Sequence, residues 1–129
     1  MGWAMKSVSE TVIKIMEVFK DQDIKCAIVS YRDHPPQDTS YVFKIDTNLT
    51  NKDDSIRVLN SMGASGGGDA PEAVMDGVYY SARDVKWREK SQRFIFHICD
   101  APPHGKKFGS SSSDPNWTER GCPCGLNEA

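Results

Sequence analysis

No apolar run in this chain approaches the roughly 20 residues that a membrane-spanning helix needs. Nor do the opening residues show the basic, apolar and small-residue zones of a secretory signal. Read as written, the chain is soluble and untargeted, which leans its location toward the cytoplasm. An excess of positive charge is also missing: 16 Lys and Arg stand against 18 Asp and Glu, for a net charge of −2. Without a basic stripe to meet a phosphate backbone, nucleic acid is not an expected partner. The four cysteines in 129 residues would permit a disulfide framework, but their places do not favour one. Cys26 and Cys99 fall in apolar runs, and Cys122 and Cys124 are too close for an ordinary bridge, so reduced thiols are expected. Two Asn-x-Thr triplets, at Asn48 and Asn116, would matter only in a secreted chain.

Several catalytic signatures are absent as well. The triple glycine at residues 66–68 is followed by Asp69 rather than by lysine, and an acid there would repel phosphate. Ser110, His104 and Asp100 could be assembled into a triad on paper, yet no nucleophile-elbow pattern surrounds the serine. Cys122-Pro123-Cys124 lacks the two-residue spacing and second half-site of structural zinc, and His34, His97 and His104 add no such half-site. An enzyme is therefore not expected.

What remains is the composition of one globular domain, 38% hydrophobic and 26% charged. Residues 3–20 predict an amphipathic helix, with Met5, Val8, Val12, Ile15, Met16 and Phe19 on one face. Residues 24–31 predict a buried strand, and the prolines at 35 and 36 force a loop. Residues 41–45 then predict an antiparallel edge strand. A second helix is expected over 52–61, capped by Thr50 or Asn51, with Ile56, Val58 and Leu59 inward. A third, over 70–87, would bury Val74, Met75, Val78, Tyr79, Ala82 and Val85, and a strand over 93–99 would follow. Helices alternating with apolar strands predict an α/β sheet with parallel members. From Ala101 onward Pro, Gly and Ser dominate, and no periodic segment is expected to the end.

The acids Asp33, Asp69, Glu72 and Asp100 each fall where a strand gives way to a loop or a helix begins. In an open α/β sheet such positions gather at the carboxyl edge of the strands, where ligands bind. A hard cation such as Mg²⁺ needs several oxygen ligands, and these four carboxylates could supply them. The competing reading is plain helix capping, with Asp69 as N-cap and Glu72 three residues later, and with Asp33 and Asp100 as solvated loop acids.

Two stretches, Gly66-Gly67-Gly68-Asp69-Ala70-Pro71-Glu72-Ala73 and Ile95-Phe96-His97-Ile98-Cys99-Asp100-Ala101-Pro102-Pro103-His104-Gly105, resemble the von Willebrand factor A domain. Tyr31-Arg32-Asp33-His34-Pro35-Pro36 and Cys122-Pro123-Cys124-Gly125-Leu126 are more closely similar to A domains of hemicentin-like proteins and of alpha-type protein kinases. The resemblance covers residues 1–105 as a partial domain and leaves 106–129 as a loop or disordered tail.

It implies a Rossmann-like, doubly wound and mostly parallel sheet, with a metal-ion-dependent adhesion site on its upper edge. There Mg²⁺, or Mn²⁺ or Ca²⁺ in its place, would bridge the domain to an acidic group on a protein partner. By that resemblance Glu72 and Asp100 match metal-site positions, and Asp33 and Asp69 match acids that hold a neighbouring cation in the integrin β version. The family's Asp-x-Ser/Thr-x-Ser loop and first, central strand are not found, nor are the closing elements after Asp100. The resemblance therefore implies a fragment with exposed apolar surface and weakened metal affinity. It also leaves two other roles open: a regulatory or localising segment of a larger enzyme such as an alpha-type protein kinase, or a metal-independent scaffold.

Overall fold

The computed structural model describes residues 5–65, 70–108 and 125–126. Asp69, the glycines at 66–68, Ser110, Cys122, Cys124 and nearly all of the expected tail lie outside the described residues.

Helix α1 spans Met5–Val18, inside the range its apolar spacing predicts. Met16 and Ser9 are its buried residues. Strand β1, Cys26–Tyr31, pairs antiparallel with β2, Phe43–Thr50, with Tyr31 opposite Phe43 and Cys26 opposite Thr50. The edge strand thus returns antiparallel as the sequence predicts, but runs five residues further. The intervening loop contains a cis peptide between Pro35 and Pro36. Helix α2, Lys52–Ser61, begins at Asn51, whose side chain accepts a hydrogen bond from the Asp54 amide at 2.9 Å. That bond satisfies one of the amides a helix start leaves without an intrahelical partner.

Helix α3, Val74–Asp84, starts four residues later than the sequence predicts. Its buried face is Val74, Asp76, Gly77 and Ser81, while Val78 and Tyr79, expected inward, are exposed. The reason is local. Gly77 admits the ring of Tyr31 so closely that a Cβ there would lie 2.5 Å from Tyr31 Cδ1, and this approach rotates the small-residue face toward β1.

Helices α2 and α3 both pack on β1 and β2 without touching each other, so they cover opposite faces of the ribbon. Helix α1 packs on α2 and not on the strands. The fully buried side chains are mostly polar or small: Asp33, Asp76, Pro71 and Ser55, the last donating to the Cys26 and Asn51 carbonyls. Buried apolar side chains among the described residues are Met16, Leu59, Ala73, Val74 and Val85.

The doubly wound parallel sheet is therefore overturned. The described residues hold three α-helices, one short 3₁₀ turn at Lys106–Phe108 and a two-stranded antiparallel sheet. Residues 93–99, expected as a parallel strand, form no strand and make no main-chain to main-chain hydrogen bond among the described residues. Phe94, Ile95 and Phe96 are exposed. A parallel strand is stable only when both faces and its neighbours are in place. Here a slot separates residues 95–101 from β1, and it is bounded by side chains of both.

Candidate functional site

The end of β1 is joined to the rest of the molecule by main-chain bonds around Glu72. The Ala73 amide donates to the Arg32 carbonyl and the Glu72 amide to the Pro102 carbonyl, both at 3.0 Å, and Glu72 bridges to Pro103 in a parallel sense. This short splice holds three segments together: the exit of β1, the entry to α3, and the loop after Asp100. It also settles the capping alternative for Glu72, because the helix N-cap is Ala73 and Glu72 precedes it.

Glu72 and Asp100 line one open cavity of about 420 Å³, together with Tyr31, Arg32 and His97. Tyr31 is the hub of that end. Its hydroxyl lies 2.7 Å from His97 Nε2. Burial first, then the nearness of Cys99, Glu72 and Asp100, pushes its phenol well above the ordinary range. That cause places both acids close enough to disfavour a negative charge on the Tyr31 oxygen.

Asp33 behaves differently. It is 1% exposed and accepts from the His34 amide at 2.7 Å through Oδ1, which also lies 2.5 Å from His104 Nε2. Beside it, His34 Nε2 lies 3.0 Å from Asp76 Oδ2, with the two imidazole rings 6.3 Å apart. Asp33 is thus no solvated loop acid, and His104, which the sequence leaves in a loop, is 3% exposed. Asp76 gave no sequence signal beyond its place on a helix. The signals available for the others were their Pro and Gly neighbours, which fix a tight loop and so permit burial.

A third cluster orders the ribbon's outer end. The Arg32 guanidinium donates to Asp38 Oδ2 at 3.2 Å, to Ser40 Oγ at 3.0 Å and to Ser65 Oγ at 2.6 Å, and stands 4.7 Å over the Tyr41 ring. Hydrogen bonds from the Ser40 hydroxyl and amide, then the Arg32 contact, hold the Asp38 carboxyl below its ordinary range.

As to the cation, the four acids do not assemble into one site among the described residues. Glu72 and Asp100 share a cavity, Asp33 is bound to His104 away in the interior, and Asp69 lies outside the described residues. No group of three or more His, Cys, Asp or Glu is placed to hold a metal among the described residues. No helix among the described residues is long and apolar enough to cross a membrane.

No family model matches the chain, and no solved structure matches it. The chain is similar to the alpha-protein kinase vwkA of Dictyostelium discoideum, 27% identical over 122 residues covering 87% of this chain and 19% of that protein. It is also similar to a protein of Acanthamoeba polyphaga mimivirus named for an ariadne-like RING finger, 30% identical over 112 residues covering 82% of this chain and 10% of that one. The chain thus spans between a tenth and a fifth of the curated relatives it matches.

Proposed function

We propose that this chain is a non-catalytic protein-binding segment whose engaging end carries Glu72 and Asp100. In this reading the two carboxylates anchor a divalent cation, Mg²⁺ or Mn²⁺ or Ca²⁺ in its place, that meets an acidic group of a protein partner. The observation that carries it is the lining of one open cavity by both acids, next to apolar walls. When bound, such a cation supplies a positive bridge between carboxylates. The chain's own part is to hold Glu72 by its main-chain splice to Pro102 and to keep Tyr31 protonated beside both acids. The residues and motifs that resemble A domains support the same reading.

Similarity to a part of the alpha-protein kinase vwkA favours a companion reading, in which the segment regulates or localises a larger enzyme. Both readings are tested by partner capture from a lysate of the source cell, with and without chelator. Capture that requires the cation and is lost in Glu72→Gln supports the bridge. Capture that survives both changes points instead to a metal-independent scaffold.

A further inference from the structure

Cys99 is an exposed free thiol with an imidazole beside it. Its Sγ lies 4.0 Å from Nδ1 of His97, and the other nitrogen of that ring, Nε2, lies 2.7 Å from the Tyr31 hydroxyl. Burial first, then the charge of Cys99 and a hydrogen bond to it, keeps the proton on the Tyr31 phenol. With its O–H given to the sulfur, the Tyr31 oxygen accepts from His97 Nε2. The imidazole proton is thereby fixed at Nε2, which leaves the lone pair on Nδ1, the nitrogen next to Cys99.

A thiol sulfur and an imidazole lone pair held side by side are a ligand pair, and their spacing limits what they hold. Metal–sulfur and metal–imidazole bonds of about 2.3 and 2.1 Å put the two donor atoms about 3.6 Å apart at a tetrahedral angle and about 4.4 Å apart when collinear. The observed 4.0 Å falls between these limits, so an ion bonded to both takes a wide S–metal–N angle. Wide angles belong to low coordination numbers. The ligand count agrees, because no group of three or more His, Cys, Asp or Glu is placed to hold a metal among the described residues. Zinc takes four ligands in structural sites and three from the protein in catalytic ones, and hard cations take oxygen. A sulfur and an imidazole with few companions select a soft monovalent ion, and Cu(I) is the physiological one.

From this geometry we infer that Cys99 and His97 form a two-ligand site for Cu(I), with Tyr31 as the positioning residue that fixes the His97 tautomer. On binding, the Cys99 thiol gives its proton to solvent, the sulfur and Nδ1 each donate an electron pair, and the copper stays Cu(I). Both ligand residues are exposed, so the ion reaches them from solvent without a change of fold. Cys26, half-buried in β1 with its thiol pushed up by burial, is the poorer ligand. This site goes beyond the proposed function and does not rest on a cation at Glu72 and Asp100.

The test uses the whole chain carrying Cys122→Ser and Cys124→Ser, so that Cys26 and Cys99 are the remaining thiols. Cu(I) is titrated anaerobically against a coloured Cu(I) chelator with Mg²⁺ in excess, and the bound ion is read by X-ray absorption. One Cu(I) per chain is expected, with one sulfur and one imidazole nitrogen in its shell. Cys99→Ser should abolish binding, and His97→Ala should weaken it and remove the nitrogen from the spectrum. Tyr31→Phe, which keeps the ring on Gly77, should retain both ligands in the spectrum and bind about tenfold more weakly. No binding, binding that survives Cys99→Ser, or a spectrum unchanged by His97→Ala would overturn the site. One ion shared by two chains through two sulfurs would overturn it as well, and unchanged affinity in Tyr31→Phe would overturn the role given to Tyr31.

Discussion

The ring of Tyr31 rests directly on the backbone of Gly77, where an added Cβ would meet Cδ1 at 2.5 Å and Cγ at 2.8 Å. This approach brings α3 against β1 and sets which face of the helix is buried. It also holds the Tyr31 hydroxyl over the cavity that Glu72 and Asp100 line.

Gly77→Ala should therefore destabilise the chain. Alanine would gain up to about 1 kcal/mol in helix propensity, but overpacking a closed contact costs on the order of 1–3 kcal/mol, and the ring of Tyr31 is itself held by its bond to His97. Urea unfolding should show a lower midpoint. A midpoint equal to or above the wild type would mean that the ring moves aside freely.

The buried pair Asp33–His104 ties the exit of β1 to the loop after Asp100. His104→Ala should cost about 3–5 kcal/mol, because it leaves a carboxylate in the interior without its imidazole. Adding Asp33→Asn in the same chain should recover part of that loss by removing the charge. If His104→Ala unfolds at the wild-type midpoint, Asp33 has ready access to solvent and the pair is not structural.

Asp54 is held below the ordinary carboxyl range, chiefly by its hydrogen bond from Asn51 and then by Arg57. Asp38 is held low by Ser40 and then by Arg32. A depressed carboxyl stabilises the fold fully above its unfolded value, about 3.9, and that contribution disappears as pH falls through the lower folded value. Thermal midpoints should be level near neutrality and fall below about pH 4. In Asp54→Asn together with Ser40→Ala the fall should be shallower. An unchanged acid limb in that variant would remove these two groups as its cause.

Local order was legible in the sequence where local chemistry decides it. Asn51 marks the start of α2 as a cap, and the apolar spacing of residues 5–19 and the alternation of short apolar runs yield α1 and the β1–β2 pair. Elements that depend on distant neighbours were not legible in the same way. Residues 94–99 have the composition of a buried strand, but pairing needs an adjacent strand, and β1 lies across a slot. Val78 and Tyr79 fit an apolar stripe, yet the buried face is the one that carries Gly77, where the Tyr31 ring leaves no room for a side chain.

The acids divide in the same way. Glu72 and Asp100 line one cavity, although the parallel sheet expected to place them is not formed among the described residues. Asp33 has the same sequence context and goes inward, because His104 arrives from 71 residues away to receive it. Nothing local to Asp33 announces that partner.

The most direct test of the proposed function is thermal unfolding followed by circular dichroism, with chelator and with millimolar Mg²⁺, for the wild type and for Glu72→Gln. A cation that binds only the native state must raise the midpoint. A higher midpoint in Mg²⁺ is expected for the wild type, and no such rise for Glu72→Gln. A cooperative transition at the same temperature in chelator and in Mg²⁺ would contradict a cation anchored at Glu72 and Asp100.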